Sequence, residues 1–187
     1  MSGAEQQQSI FIITGIIQGG KTSYLTELIE LLRKRSLSVG GFLAPGSFES
    51  GKRSGFRLKN IVSGDELAMA STIETATWIN YRRFWFNPDA FTLGREWICE
   101  SLKANPDVMV IDEVGPMEQE GSGWSETLEF LKSSSVPVQL WSVREKLSGE
   151  VMEHWSISAD HLIHIENKEV HKAANLIIRA VERNRNP

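Results

Sequence analysis

The length, composition and charge of the chain already exclude several classes of protein. It has 187 residues, 41% of them apolar and 24% charged, with a formal net charge of −4. These values predict one globular domain over residues 9–183 after a flexible N-terminus over residues 1–8. The acidic balance disfavours nucleic-acid binding, and a single cysteine, Cys99, excludes an intramolecular disulfide. Because no export signal or membrane span is evident, we expect a cytoplasmic monomer that does not bind membranes.

Strand and helix patterns alternate along most of the chain. A β-branched apolar run over residues 9–14 predicts a buried strand, and after a glycine-rich turn apolar residues recur at helical spacing to about residue 35. Short strand patterns predict an antiparallel hairpin extension around residues 39–62, and the aromatic stretch Trp78–Phe86 predicts a further strand. The remaining patterns predict, in order, a helix over 88–104, a strand over 107–113, a helix over 125–132, a strand over 136–143, a helix over 145–154, a strand over 161–165 and a helix over 170–181. This order is typical of a three-layer α/β fold with a mostly parallel sheet.

A phosphate-binding loop is predicted between the first strand and the first helix. Residues 15–22 read Gly-Ile-Ile-Gln-Gly-Gly-Lys-Thr and match the pattern G-x-x-x-x-G-K-[ST] in full. Backbone N–H groups of such a loop point at phosphate oxygens, Lys21 would lie between the β- and γ-phosphates, and Thr22 would offer its hydroxyl to Mg²⁺. The residues expected to contact the nucleoside triphosphate here are Gly15, Ile16, Ile17, Gln18, Gly19, Gly20, Lys21, Thr22 and Ser23.

Two adjacent acids end the apolar strand that the pattern places over residues 107–113. Ligands of open α/β sheets lie beyond the carboxyl ends of the strands, so Asp112 would face the phosphate loop. We expect Asp112 to hold Mg²⁺ directly or through water, and Glu113 to take a proton from an attacking water. The alternative is a solvated acidic turn after a buried strand.

The chain resembles a known family over roughly residues 10–170. The segment Asp112–Glu118, which reads Asp-Glu-Val-Gly-Pro-Met-Glu, is the most specific part of the resemblance. Further similarity lies in Gly40-Gly41-Phe42, Pro45, Gly51-Lys52-Arg53, Gly55-Phe56, Ser63-Gly64, Leu67-Ala68 and Glu166-Asn167-Lys168. On these residues the chain is identified as a member of the THEP-type nucleoside-triphosphatase family, also called the cancer-related nucleoside-triphosphatase family.

The resemblance implies both a fold and an activity. The fold would be a RecA-like P-loop NTPase. The activity would be a cytoplasmic, Mg²⁺-dependent hydrolysis of nucleoside triphosphates to diphosphate and phosphate, with broad base tolerance. The chain departs from the family pattern at Ile16-Ile17-Gln18-Gly19, where the family commonly has Pro-Gly, and at Lys168, where the family tends to have Arg.

Four polar residues outside these motifs have two interpretations each. Arg144, at the carboxyl end of a predicted strand, would stabilise charge on the transferred phosphoryl group or pair with Glu145 or Glu150 on the surface. Lys52 and Arg53 would contact the triphosphate or, slightly favoured, lie in a solvated turn. Asn167 would bind a base edge or, favoured, cap the last helix.

The aromatic stretch Trp78–Phe86 also has more than one interpretation. Its rings could stack on a nucleobase or form a platform for single-stranded nucleic acid, but packing in the core is favoured, as for Trp124 and Trp141. Two functions compete with hydrolysis. One is a nucleotide or nucleoside kinase, which needs an acceptor pocket, and the other is a nucleotide-binding switch that would use the aromatic stretch as an interface.

Overall fold

The computed structural model describes residues 8–167 and 169–185, and this part of the chain contains ten strands and six α-helices. The strands are β1 (Ser9–Gly15), β2 (Val39–Leu43), β3 (Gly46–Glu49), β4 (Lys52–Asn60), β5 (Glu66–Ser71), β6 (Ile79–Tyr81), β7 (Phe84–Phe86), β8 (Val108–Val114), β9 (Val138–Arg144) and β10 (Leu162–His164). The helices are α1 (Lys21–Lys34), α2 (Pro88–Lys103), α3 (Pro116–Gln119), α4 (Ser125–Lys132), α5 (Glu145–His154) and α6 (Val170–Arg185).

The expected flexible N-terminus lies outside the described residues except for Gln8. The side-chain amide of Gln8 donates hydrogen bonds to the carbonyl oxygens of Leu131, at 3.2 Å, and Val136, at 2.9 Å. The chain is therefore held against the domain one residue before β1 begins. Lys168, where the family resemblance included a departure, also lies outside the described residues.

Helix ends follow the chemistry of the local sequence. The side chain of Asn87 accepts a hydrogen bond from the backbone N–H of Asp89 at 3.1 Å, and Pro88 occupies the first position of α2. This arrangement satisfies one backbone donor and places the missing N–H of proline where no helical partner exists. At the other end of a helix, Arg33 and Lys34 lie in the last turn of α1, where the helix dipole favours cations.

All ten described strands belong to one sheet, in the order β10-β1-β9-β8-β2-β4-β5-β7-β6, and β3 pairs with β4 outside this order. The first five strands of this order run parallel to their neighbours, and the pairings from β2–β4 onwards are antiparallel. The predicted α/β fold with an antiparallel extension is therefore confirmed. The parallel half brings the carboxyl ends of β1, β8 and β9 to one edge, as βαβ crossovers require.

The antiparallel extension differs from the predicted hairpin in its bounds. Residues Val39–Leu43 were expected within it, but β2 pairs in parallel with β8 on one side and antiparallel with β4 on the other, so it joins the two halves of the sheet. The extension instead begins at β3 and reaches Phe86. The prediction of one strand over Trp78–Phe86 is also wrong, since Arg82 has a φ of 56° and turns the chain between β6 and β7. The turn residues Arg82 and Arg83 are not the Gly, Asn or Asp typical of a tight hairpin turn, so the sequence carries no turn signal here, which explains the error.

Two apolar layers cover the sheet. On β8, Val108 and Val110 contact the layer formed with α1 and α6, whereas Met109 and Ile111 contact the layer formed with α2, α4 and α5. This alternation follows from the two-residue period of a strand. Trp124 and Trp141 are buried in the second layer, as predicted. No described helix is long and apolar enough to cross a membrane.

Candidate active site

The phosphate loop joins β1 to α1 at the carboxyl edge of the parallel sheet. Gly20 precedes α1 with a φ of 90°, a left-handed conformation that glycine adopts without steric cost. The side chains of Ile16 and Ile17 are exposed, and the Nζ atom of Lys21 lies 3.5 Å from the carbonyl oxygen of Ile16. Gly19 closes the loop by donating its N–H to the same carbonyl at 3.0 Å. The loop therefore directs its lysine ammonium toward its own centre.

The carboxylate of Asp112 is the hub of a buried hydrogen-bond network. It is fully buried, and its Oδ2 accepts hydrogen bonds from the hydroxyl of Thr22 at 2.8 Å and from the backbone N–H of Ala44 at 2.9 Å. Its Oδ1 accepts the hydroxyl of Ser142. Residues from α1, β8 and β9 thus meet at one carboxylate, and the predicted proximity of Thr22 to Asp112 is present.

These residues fit a magnesium ion. Mg²⁺ prefers oxygen ligands, keeps several of its waters and usually takes only one or two protein ligands beside substrate phosphates. The Thr22 hydroxyl and the Asp112 carboxylate supply such oxygens next to the phosphate loop. A carboxylate can accept roughly four hydrogen bonds, so Asp112 retains capacity to accept one from a water of the ion. Among residues 8–167 and 169–185, no group of three or more His, Cys, Asp or Glu could hold a metal by itself.

Glu113 reaches the site through a break in strand register. In a regular strand, Asp112 and Glu113 would point to opposite faces of the sheet. Here the pairing of β8 with β9 shifts between Ile111 and Val114, and Glu113 adopts a φ of 64°. The backbone N–H of Glu113 donates to the hydroxyl of Ser142 at 2.8 Å, which holds the bulge. A non-glycine residue in this conformation costs of order 1–3 kcal/mol, and such strain concentrates at functional sites.

Two guanidinium groups flank the Glu113 carboxylate. Arg53 approaches it at 3.9 Å and Arg144 at 3.8 Å, and only 17% of the Glu113 side chain is exposed. Burial raises the pKa of the Glu113 carboxyl above its usual range, and the charge of Asp112 raises it further, while Lys21, Arg144 and Arg53 oppose the rise. A carboxylate with a raised pKa is a stronger base than an ordinary glutamate, which suits proton abstraction near neutral pH.

The two arginines meet at the same carboxylate, and contact of Arg144 with the transferred phosphoryl group stays a prediction. Arg144 pairs with Glu113 rather than with the surface residues Glu145 or Glu150. The favoured expectation of a solvated turn is wrong for Arg53, since its guanidinium stacks over Phe56 at 4.8 Å and meets Glu113. Lys52 is exposed, as a solvated turn requires. The error for Arg53 arose because the pairing of β4 with β2 and β5 brings Arg53 to the site. This pairing joins distant segments and cannot be predicted from the local sequence.

Asn167 and Ser23 lie at the edges of the phosphate site. Asn167 is exposed in the turn after β10, and because α6 begins at Val170, it does not occupy the position next to the helix that a cap requires. The favoured interpretation as a helix cap is therefore wrong, and its contact with a base edge stays a prediction. Ser23 is exposed on the first turn of α1.

A cleft of about 520 Å³ opens beside the phosphate loop and is termed here the aromatic cleft. The end of the cleft beside the phosphate loop, termed here its mouth, is lined by Lys21, Glu113 and Arg144. The rings that line it are Phe56, Tyr81, Phe84, Phe86, Phe91 and Trp124. The aromatic stretch therefore divides: Phe84 is buried as core packing predicts, Tyr81 and Phe86 face the cleft, and Trp78 and Trp85 do not line it.

Three residues of the site escaped sequence reasoning. Ser142 contacts both Asp112 and the Glu113 backbone, and its only signal was a hydroxyl inside an apolar strand. Glu166 accepts the backbone N–H of Ile16 at 3.1 Å and so buttresses the phosphate loop. Glu118 is buried and accepts the backbone N–H groups of Gly115, at 2.7 Å, and Trp124, at 3.0 Å. The sequence signal for Glu118 was its place in the Asp112–Glu118 segment, the most specific part of the family resemblance.

Comparisons with known proteins agree with this geometry. The family model described as NTPase matches residues 10–178. A nucleoside-triphosphatase THEP1 of Methanocaldococcus jannaschii is 29% identical over 163 residues, which cover 84% of this chain and 89% of that protein. A nucleoside-triphosphatase THEP1 of Sulfolobus acidocaldarius is 28% identical over 127 residues, which cover 67% of this chain and 72% of that protein.

Two solved structures share the fold. The solution structure of a human cancer-related nucleoside triphosphatase matches 95% of this chain and 98% of its own, with a TM-score of 0.67 and 18% identity. The crystal structure of THEP1 from the hyperthermophile Aquifex aeolicus matches 90% of this chain and 98% of its own, with a TM-score of 0.63 and 22% identity. Because the family model spans nearly the whole described chain and the predicted resemblance is confirmed, this protein belongs to the NTPase family of THEP-type nucleoside-triphosphatases.

Proposed function

We propose that this member of the family hydrolyses nucleoside triphosphates at the γ-phosphate, with dependence on Mg²⁺ and with broad base tolerance. The observation that carries the proposal is the convergence of Lys21, Glu113 and Arg144 at the mouth of one cleft beside a complete phosphate loop. The named activity of the relatives supports hydrolysis. The described groups of this site address phosphates, which all nucleoside triphosphates share, and this supports broad base tolerance.

Each residue of the site has a role in the proposed reaction. Backbone N–H groups of the loop hold the phosphates, and Thr22 and Asp112 would hold Mg²⁺, which when bound offsets charge on the β- and γ-phosphate oxygens. Glu113 orients a water and accepts its proton as the water oxygen attacks the γ-phosphorus. The bond from the γ-phosphorus to the β–γ bridging oxygen breaks, and the nucleoside diphosphate leaves with that electron pair. Lys21 and Arg144 stabilise the charge that develops on the transferred phosphoryl group.

The nucleotide-binding switch has less support. It required the aromatic stretch Trp78–Phe86 to be free as an interface. Phe84 is buried, and Phe86 packs against Phe84 and Phe91 with ring centroids 6.3 Å and 6.0 Å apart. Phe84 and Phe86 therefore serve the interior and the cleft, and of the rings in the stretch only the half-buried Trp78 and Trp85 lie outside the cleft.

Lys21→Ala tests the proposed site. Loss of the ammonium removes one preorganised group from the transition state, and we expect phosphate release from ATP, GTP, CTP and UTP to fall about 10²–10³-fold. Circular dichroism establishes that the variant is folded. Lys34→Ala, at the exposed end of the same helix, is the matched control. If folded Lys21→Ala turns over at the rate of Lys34→Ala, the assignment of Lys21 to the phosphate site is contradicted. Phosphate release by the wild type that persists in EDTA would contradict the Mg²⁺ dependence.

A further inference from the structure

The aromatic cleft has features that hydrolysis does not require. Water needs no apolar cavity, yet about 520 Å³ of space extends from the phosphate loop between β4, β5, β7, α2 and the segment that follows β8. Small-molecule sites are typically about 300–1,000 Å³ and mostly apolar with a few convergent polar groups. The cleft meets both conditions, so it has the size and surface of a site for a second ligand.

The walls of the cleft favour a planar ring. Phe56, Phe84 and Trp124 are each less than 10% exposed, and with Phe86 and Phe91 they form a chain of ring contacts. Phe86 and Phe91, which are partly exposed on this packed support, would bind a flat aromatic molecule by stacking, without restriction to one heterocycle. Tyr81 also lines the cleft, and its hydroxyl donates a hydrogen bond to Glu120 at 2.8 Å.

The mouth of the cleft places such a molecule against the phosphate site. Arg53 joins the two regions, because its guanidinium stacks over Phe56 at 4.8 Å and lies 3.9 Å from a carboxylate oxygen of Glu113. Lys21 and Gln18 of the phosphate loop line the same cleft. A ligand seated among the rings would therefore direct its near end at Glu113 and at the γ-phosphate held by the loop.

The charges at the mouth favour a neutral ligand that carries a hydroxyl. Five cations line the cleft, and each already has a partner or an assigned role. Arg53 and Arg144 lie within 4 Å of Glu113, and Lys21 is assigned to the triphosphate. Arg82 lies 3.7 Å from Glu120, and the guanidinium of Arg83 stacks over Phe84 at 4.6 Å. An anionic end group would be repelled by Glu113. A hydroxyl, in contrast, could donate its proton to Glu113.

We propose that the aromatic cleft binds a nucleoside and that the protein transfers the γ-phosphoryl group to a hydroxyl of that nucleoside. The inference rests on the proposed function, because it uses the same phosphate site. The nucleoside oxygen forms a bond to the γ-phosphorus as the bond from the γ-phosphorus to the β–γ bridging oxygen breaks. The nucleoside diphosphate leaves with that electron pair, and the hydroxyl proton passes to Glu113. The products are a nucleoside monophosphate and a nucleoside diphosphate, and water competes with the nucleoside as acceptor.

The test compares the products formed by the full-length protein with and without acceptors. Triphosphate labelled in the γ-phosphate is incubated with adenosine, guanosine, cytidine, uridine or thymidine, and in parallel with the corresponding 5′-monophosphates. Hydrolysis alone releases labelled phosphate in an amount equal to the diphosphate formed. We expect at least one nucleoside to yield labelled monophosphate, with diphosphate exceeding free phosphate by the same amount. If the amounts of diphosphate and of free labelled phosphate are equal with every nucleoside, the proposal is overturned. Transfer of label to the 5′-monophosphates only would also overturn it.

Reactions without acceptor keep the two proposals apart. If no phosphate is released in them, the proposed hydrolysis fails, whereas release without any transfer refutes only the nucleoside site.

Phe86→Ala removes one ring of the cleft, and since stacking on one ring contributes about 1–3 kcal/mol, the nucleoside concentration for half-maximal transfer should rise roughly 5- to 150-fold. Phe130→Ala, an exposed ring on α4 outside the cleft, is the matched control. If Phe86→Ala reaches half-maximal transfer at the same nucleoside concentration as Phe130→Ala, the proposal is also overturned. Calorimetric binding of the nucleosides to the wild type gives a second measurement if Phe86→Ala does not fold.

Discussion

At the scale of single residues, Glu113 is the side chain on which the proposed chemistry most depends. Its backbone conformation, with a φ of 64°, places the carboxylate between two guanidinium groups instead of on the opposite face of the sheet. The network that holds this conformation passes through Ser142, which contacts both members of the acidic pair. The site is therefore built from strained backbone that a buried hydroxyl stabilises.

Glu113→Gln should separate chemistry from binding. The amide keeps the size of the side chain but is not a base, so we expect single-turnover cleavage to slow about 10²–10⁴-fold while nucleotide affinity, measured by calorimetry, stays near that of the wild type. The acidic limb of the wild-type rate profile should lie above the usual pKa of a glutamate, because burial and Asp112 raise the pKa of Glu113. That limb should be absent from the variant.

The control for this change is Glu153→Gln, an exposed acid on α5. Its cleavage rate and pH profile should match those of the wild type. If Glu113→Gln also cleaves within a few-fold of the wild-type rate, Glu113 is not the general base and its role is confined to the pairing with Arg53 and Arg144.

At the scale of elements, a close backbone approach between β2 and β8 supports the site. Gly41 has a φ of 101°, and a Cβ atom added there would collide with the backbone of Val110. Because Ala44, just beyond β2, donates its N–H to Asp112, the position of β2 also affects the site. The approach of these strands thus couples sheet packing to the carboxylate hub.

Gly41→Ala should destabilise the protein by at least about 1–3 kcal/mol, since the new side chain meets both a strained conformation and a neighbouring strand. Gly149→Ala on α5 is the matched change: nothing lies within 4 Å of the added Cβ, and alanine in a helix should stabilise by roughly 0.5–1 kcal/mol. Urea unfolding of both variants measures the difference. Equal stabilities would contradict the close packing of β2 against β8.

At the scale of the whole molecule, the two halves of the sheet have different tasks. The parallel half gathers the phosphate loop, Asp112 and Arg144 at its carboxyl edge, whereas the antiparallel half supplies Arg53 and most rings of the aromatic cleft. The segment after β8 closes this arrangement through Glu118, which is buried against Gly115 and Trp124. A buried carboxylate at this junction links global stability to pH.

Burial raises the pKa of Glu118 to about 7. The folded state therefore binds this proton more tightly than the unfolded state, so the contribution of Glu118 to stability falls as pH rises from about 4.5 to about 7 and is constant above that window. The free energy of unfolding of the wild type relative to Glu118→Gln should decrease over this window by at most about 3 kcal/mol, at roughly 1.4 kcal/mol per pKa unit. Urea unfolding at several pH values measures this difference. A difference that does not change with pH would show that Glu118 has the same protonation in both states.

Local patterns alone determined much of this protein. The strand, glycine loop and helix over residues 9–35, the acidic end of β8 and the family resemblance all depend on neighbours in sequence, and each is confirmed. Predictions failed where residues distant in sequence meet. The parallel pairing of β2, the burial of Arg53 beside Glu113 and the contact of Ser142 with Asp112 are of this kind.

Only the tertiary structure decided what surrounds the phosphate loop, and the physical reason is the two-residue period of a strand. A period assigns each side chain to a face, but it does not say which strand lies alongside or where the register breaks. The bulge that turns Glu113 into the site and the β6–β7 turn that directs Tyr81 and Phe86 into the cleft are such breaks. The sequence by itself therefore determined that this protein binds a nucleotide with an acidic pair close by, and the folded chain decided that an aromatic cleft opens beside them.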